Sequence, residues 1–564
     1  MQWAIAAALI CSSTVFTGCS KSDDNQEPVV KPEQPDDNGA NSSSDDIGYI
    51  ECSWNGTEVV KTPKVTTARD MSTLSYSSGS VRNTIKISGF YFISGSFTTD
   101  NYLYVNGWAA IILCDGADLK VSGIYVNNGG TLIIYAQEKG TGHLYAETKY
   151  SDDFCPAIGT YVGDGGKVEI HGGNVDAKGG IRSAGIGGGG SDDEHANLSD
   201  IIIYGGRVYG HSNGGAGIGA GAYDTSVKTN ITIYDGLIEG SGGTDVYKGK
   251  FYGVGIGGGH KASFGSVNIY GGTVTASASD ESAGIGAGEE APNGEGVVNI
   301  YGGTVTAQGG ARGAGIGGGD GRRLNEINIH GGEVYAYAGA DGAGIGGGED
   351  GDSGDINIYG GIVRAYGDRW ADGSSNKGYG AGIGSGQNGN VNTIIIKGGD
   401  VQAYGGMDAA GIGTGEEYGS DINSGTIEIH GGKVWAEGKG YGAGIGCGED
   451  ATFGVLGISG GRVDAHAGSD CGPWSGGIGA YHKGHGADDT CQIGWAGWQR
   501  IYIGKGMRLW TYSPNVGYVE NVTNNQRWWN YVHQRPQVAF GECDHPGYTE
   551  ATCPFCYRET LQLR

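Results

Sequence analysis

Proline and methionine are scarce in this chain, 11 and 4 of 564 residues, and no strict Gly-X-Y triplet runs through it. The missing triplet excludes a collagen-like rod. Heptad patterns and helix-capping boxes are few, which argues against a helical architecture. Positive charge is short as well: 36 Lys and Arg stand against 62 Asp and Glu, a formal net charge of −26. Nucleic acid needs a basic face and anionic lipid a polybasic one, so neither is an expected partner. An anionic substrate would need a local basic patch or a bridging metal ion. The 11 cysteines are scattered and follow no dense disulfide framework. An exported chain could oxidise some of them, Cys447 with Cys471 for example, but the spacing does not set the pairing.

What the chain has in excess is glycine, 118 residues, roughly three times the usual share of ~7%. The glycine is organised. Gly-Ile-Gly (Ala-Ile-Gly in the first copy) recurs with its isoleucine at Ile158, Ile186, Ile218, Ile256, Ile285, Ile316, Ile345, Ile383, Ile412, Ile445 and Ile478. The mean spacing is about 32 residues, the range of structural repeats. Between these markers lies a second signature, as in Val267 to Ala276 and Ile327 to Ala336. There Val267 and Ile269 alternate with Asn268 and Tyr270, the period of a strand. Gly271-Gly272 breaks it, and Val274 and Ala276 begin a second alternation. The Gly-Ile-Gly segment supplies a third short strand. Three strands with glycine corners make one coil, and a coil buries its inner Val, Ile and Ala only by stacking on others. The expected fold is all-β: a single-stranded parallel β-helix, or solenoid, of about 11–13 coils with N- and C-terminal caps.

The ends read differently. Trp3 to Ile10 is apolar but too short to span a bilayer. It reads as the core of a signal peptide over 1–18, ending at Phe16-Thr17-Gly18-Cys19, a lipobox-like stretch with Cys19 as the lipidated residue. The usual basic n-region is missing, and an ordinary secretory signal is the alternative. Residues 19–46 are polar and acidic and read as a linker. Residues 47–150 read as an N-terminal cap and first coils, 151–485 as the tandem repeat, and 486–564 as a Trp-rich C-terminal cap. That cap ends in Cys543, His545, Cys553 and Cys556, spaced like zinc ligands, with disulfides as the alternative.

Three resemblances follow from these motifs. The repeat Ala-Gly-Ile-Gly-Gly-Gly with Ile-x-Ile-x-Gly-Gly-x-Val-x-Ala resembles a group of bacterial surface proteins. Ser20-Lys21-Ser22-Asp23-Asp24 resembles the acidic tract of Bacteroidota surface lipoproteins, and 85–146 is similar to the first coils of a carbohydrate-binding β-helix family. They imply a monomer anchored by lipid in the outer membrane, exposed at the cell surface, with a polysaccharide as partner.

Equivalent positions in stacked coils lie about 4.8 Å apart, so a column of repeat positions is a physical ladder. Tyr335, Tyr337, Tyr366, Tyr404 and Trp435 fall together on one outward face, either as a sugar-stacking platform or as cross-coil packing. Asn268, Asn299, Asn328 and Asn357 form a column expected to be a structural hydrogen-bond ladder. The column Tyr270, Tyr301, His330, Tyr359 beside it is expected to be structural too, with His330 able to titrate near neutrality. Acids after Gly-Ile-Gly, among them Glu289, Asp320, Glu349, Glu416 and Glu449, form either a solvated edge or a calcium site.

Two spacings stretch to 38 residues, Ile218 to Ile256 and Ile345 to Ile383. Both insertions fall at the same corner and mix basic with aromatic residues: Lys248, Lys250 and Tyr252 in one, Arg369, Trp370 and Lys377 in the other. They would wall a trough, with Arg312 at its corner. In such a trough a uronate lyase would use Arg312, Arg364 or calcium to neutralise the carboxylate, and Tyr335, Tyr366 or His330 to move protons. Tyr337, Tyr404 and Trp435 would hold substrate. The expected function is binding, and lyase-type depolymerisation, of an acidic polysaccharide. The alternative is a non-catalytic glycan-binding protein or adhesin, and a glycosidase would instead need a carboxylate pair.

Overall fold

The structure is a computed structural model describing residues 44–74, 84–148, 154–190 (less 162 and 164), 198–243 (less 224, 226 and 227), 253–368, 378–418, 422–468, 477–481, 500–503, 508–513 and 517–520. Its coils carry three short parallel strands each. In one coil these are Val297–Ile300, Thr304–Gln308 and Ile316–Gly317. Each pairs with its equivalent in the next coil: Val298 with Ile327, Val305 with Val334, Ile316 with Ile345. Three ladders result, named here by what they carry: an asparagine face, a tyrosine face and a glycine face. The tyrosine-face strands form a 15-stranded sheet, parallel except for its last pair, 508–513 with 517–520. The expectation of a parallel β-solenoid holds.

The alternation explains the strands. Val305 and Ala307 are fully buried while Thr304, Thr306 and Gln308 between them are half-buried. All eleven marker isoleucines are at 0% exposure, forming an apolar column that no single coil could shield. Glycine is required on either side of that column. Gly346 has φ +137°, and a Cβ there would lie 1.8 Å from the carbonyl oxygen of Gly384 in the next coil. Cys447 lies in the same interior as a free, fully buried thiol; Cys471, considered above as its partner, lies outside the described residues.

An antiparallel hairpin, Ser44–Trp54 with Val59–Asp70, precedes the coils. It begins inside the stretch read as linker. It lies along the corner between the asparagine and tyrosine faces: Tyr49 packs on Tyr135, the Cys52 N–H donates to His171 Nδ1 at 2.8 Å, and Trp54 stacks on Tyr234. At the other end, 500–503 and 508–513 extend two of the ladders past residue 485. Among the described residues no helix is long and apolar enough to cross a membrane.

Candidate functional site: a carboxylate seam around Arg312

The glycine face is roofed by its own loops. From the coil of Ile285 to that of Ile412, the residue four before the marker isoleucine offers its carbonyl to the N–H four after the marker in the next coil. The bonds are Asp320 to Glu281 (2.9 Å), Glu349 to Arg312 (2.8 Å), Gln387 to Asp341 (2.8 Å), Glu416 to Tyr379 (2.9 Å) and Glu449 to Asp408 (2.7 Å). Two columns of side chains, from different corners of the coil, thereby meet in one seam. Sequence reasoning placed the acids after Gly-Ile-Gly on one edge and Arg312 at another corner. The structure brings them together.

Arg312 is the centre of the seam. Its guanidinium lies 3.0 Å from Glu349, 3.2 Å from Asp320 and 3.6 Å from Glu281, with 47% of its side chain exposed. One cation does not balance so many carboxylates in a half-buried strip. Burial pushes the Glu349 carboxyl up to about 7; Arg312 opposes the rise, and Asp341, Asp320 and Asp350 add to it. Burial raises Asp320 and Asp341 above the ordinary carboxylate range as well. Further along the seam His260 is buried and pushed down to about 4, so its ring is neutral at pH 7.

Three sets of side chains in the seam have donor atoms within 4.8 Å of one another: His260, Glu289 and Glu290; Glu281, Glu289 and Asp320; Asp408, Glu416 and Glu449. The two all-carboxylate sets offer hard oxygen donors of the kind calcium takes. Glu281, Asp341 and Asp408 were not singled out from sequence. A signal was available, because they stand four residues before a marker isoleucine while Asp320, Glu349 and Glu416 stand four after one.

The tyrosine face carries the other expected residues. Tyr337, Tyr366 and Tyr404 form a stack, with ring centroids 5.1 and 5.0 Å apart and planes within 6° of parallel. Their faces are turned to one another, so solvent meets ring edges and hydroxyls. The sugar-stacking platform expected from sequence is therefore not formed by this row. Trp435 likewise stacks on His466, at 4.0 Å, and donates from Nε1 to Glu437 at 3.1 Å. Tyr335 sits in the neighbouring column beside Arg364. Arg364 is engaged by Asp400, at 3.0 Å to its carboxylate and 2.8 Å to its carbonyl.

His330 lies elsewhere again, between strands Glu326–Ile329 and Glu333–Tyr337, at the corner of the asparagine and tyrosine faces. Tyr301 covers one side of its ring at 4.7 Å and Tyr359 the other at 4.6 Å. It is one member of a stack that runs from Tyr135 to Tyr359. The Asn268–Asn299–Asn328–Asn357 column is a hydrogen-bonded ladder, with amide to amide distances of 2.8, 3.0 and 3.1 Å. The five residues expected to share one catalytic site thus occupy separate rows: Arg312 in the seam, Tyr335, Arg364 and Tyr366 on the tyrosine face, His330 in the corner stack.

The profile of a family described as a beta helix repeat matches seven stretches of the chain, residues 168–190, 267–289, 298–320, 327–349, 356–387, 394–416 and 427–449. The chain is a β-helix repeat protein. No curated protein and no solved structure matches it. Each matched stretch spans a strand of the asparagine face, a strand of the tyrosine face and the Gly-Ile-Gly strand that follows, so the repeat and the observed coil coincide. Several expected residues of this β-helix lie outside the described residues: Lys248, Lys250, Tyr252, Arg369, Trp370 and Lys377 of the two insertions, Cys543, His545, Cys553 and Cys556 of the C-terminal cluster, and Cys19.

Proposed function

We propose that this β-helix is a cell-surface protein, held to the outer membrane by a lipid on Cys19 and monomeric, that binds a polysaccharide lengthwise along its tyrosine face. The observation that carries this reading is the even spacing of Tyr337, Tyr366 and Tyr404, 5.1 and 5.0 Å from ring to ring. That step is close to one sugar unit of an extended chain, so a polymer parallel to the solenoid axis meets the same hydroxyl in each of these three coils. Gln308 precedes the row and Gln402 and Glu437 border it, adding donors and acceptors. The contact is by hydrogen bonding at ring edges. Phenylalanine tests it, because Tyr366→Phe keeps the ring stack and removes one hydroxyl. Polysaccharide binding should weaken several-fold in Tyr366→Phe, and further in the variant carrying phenylalanine at all three positions, with the melting temperature unchanged. Undiminished binding by the triple variant would refute the reading.

A second reading, depolymerisation, is favoured by the seam. Glu349 holds its proton up to about pH 7, so at neutrality a general acid stands across Arg312 from the carboxylates of Asp320 and Glu281. Carboxyl groups in different protonation states are what glycoside hydrolysis uses. Elimination from a uronate is less well served, because Arg312 and Arg364 are both engaged by carboxylates. Calcium held by Glu281, Glu289 and Asp320 would then have to neutralise the substrate. Incubation with neutral and uronate-bearing polysaccharides separates the outcomes. New reducing ends without the ultraviolet absorbance of an unsaturated uronate mean hydrolysis, and that absorbance means elimination. Intact polymer beside measurable binding leaves a non-catalytic glycan-binding protein.

A further inference from the structure

The glycine face is closed by its loops only where the repeat is intact. In the intact coils the residue after the marker isoleucine is glycine, and it has to be. A Cβ at Gly159 would lie 1.9 Å from the carbonyl oxygen of Gly187. The register carries this column back to the first coils, where Gly159 pairs with Tyr125, Tyr125 with Tyr104 and Tyr104 with Lys86. Glycine is thus replaced by Tyr, Tyr and Lys. Two positions further on, the column reads Asn106, Asn127 and Tyr161, where the next coil has Gly189. Side chains stand out from the face here, and a groove of about 380 Å³ opens between them. Its lining is drawn almost wholly from these two columns: Lys86, Tyr104 and Tyr125 from one, Asn106, Asn127 and Tyr161 from the other.

The groove has the size and composition of a small-molecule site, with an aromatic floor and few polar groups at its rim. The floor is rigid. Tyr125 is 3% exposed and stacked between Tyr102 at 4.7 Å and Tyr161 at 5.6 Å. Tyr104 differs from the tyrosines of the long ladders. Its ring stacks on no other described ring, and its hydroxyl accepts a hydrogen bond from Asn128 at 3.2 Å. Tyr104 is half-buried: one part of it packs against the cluster of Tyr102, Tyr125 and Cys155, and the part that is not covered lines the groove. Asn127 uses its carbonyl oxygen on the N–H of Tyr161 at 2.9 Å, which fixes the amide and leaves its NH2 to donate. Lys86 is exposed and, among the described residues, has no carboxylate partner, in a chain of net charge −26.

We propose that this groove, formed where the Gly-Ile-Gly column gives way to Lys86, Tyr104 and Tyr125, binds a single sugar ring bearing a carboxylate. The apolar side of the ring would lie on Tyr104, its hydroxyls against Asn106 and Asn127, and its carboxylate against Lys86. This site is separate from the tyrosine face and does not depend on polymer binding there.

The test uses the full chain and two probes, a uronic-acid disaccharide and its neutral counterpart, titrated by calorimetry. The unaltered protein should bind the uronate more tightly by about tenfold, the usual order for one charge-assisted contact. Tyr104→Ala should abolish binding of both probes. Lys86→Gln should remove the preference and leave neutral binding in place. Phenylalanine at Tyr337, Tyr366 and Tyr404 together should change neither titration, so this site and the polymer site can fail independently. Lys86 is exposed and Tyr104 is half-buried against Tyr102 and Tyr125, so melting curves of the two variants check that each is folded, and Lys86→Gln tests the proposal without touching that packing. The proposal is overturned if neither probe binds, if Tyr104→Ala binds as the parent does, or if Lys86→Gln keeps the preference for the uronate.

Discussion

Replacing Glu349 by glutamine should stabilise the solenoid above neutral pH and leave it unchanged in acid. In the folded state this carboxyl is raised from 4.5 to about 7, chiefly by burial. A carboxyl raised on folding holds its proton more tightly in the native state than in the unfolded chain. Its share of stability is therefore complete below pH 4.5 and is lost as the pH climbs through 7. Full ionisation in place would cost about 3 kcal/mol for a shift of this size. The side chain is 20% exposed and lies against a guanidinium, and water in the seam brings the cost nearer ~1–2 kcal/mol. Glutamine keeps the shape and cannot ionise, so that amount should be recovered at alkaline pH, as a rise of about 1–4 °C in melting temperature. Repeat proteins open coil by coil, so amide exchange across the strand at Ile345–Gly346 should slow in parallel. Arg312→Gln should act in the opposite sense, because it removes the cation opposing the rise in Glu349. A Glu349→Gln effect that is the same in acid and in alkali, or destabilising above pH 7, would refute the assignment of a raised carboxyl to this seam.

Three further outcomes follow from the same geometry. Gly346→Ala forces a Cβ to within 1.8 Å of the Gly384 carbonyl at φ +137°; amide exchange should show loss of protection centred on the coils of Ile345 and Ile383, whereas protection equal to that of the parent would count against the register. Asn328→Ala leaves Asn299 Oδ1 without its donor and Asn357 Nδ2 without one acceptor, and should cost about 1–3 kcal/mol in chemical denaturation. Calcium should raise the melting temperature if Glu281, Glu289 and Asp320 hold it, by about 2.7 kcal/mol of stability at a hundredfold excess over its Kd; the effect should vanish in Glu281→Gln/Asp320→Asn, and an equal rise in that variant would place the ion elsewhere.

The architecture was legible because it is written in local terms. The alternation of Val267 and Ile269 with Asn268 and Tyr270 makes a strand wherever it occurs, and Gly271-Gly272 ends it. Repetition then dictates stacking, since no coil can bury Ile285 or Ile316 without its neighbours. The asparagine ladder followed from the same logic, because a column in sequence is a row in space. What repetition cannot convey is which columns face each other and how their side chains lie. Arg312 and Glu349 are 37 positions apart and belong to different corners, and only the stacking of one coil on the next, with the Glu349 N–H on the Arg312 carbonyl, joins them across the seam. The tyrosines were correctly placed on one face, yet whether they offer ring faces or ring edges depends on rotamers set by the coil above and below. Composition and period thus determined that this chain is a β-solenoid. Its pairings of charge, the raised carboxyl of Glu349 and the opening beside Tyr104 were decided by the tertiary structure, because each arises from desolvation or close approach between side chains of different coils.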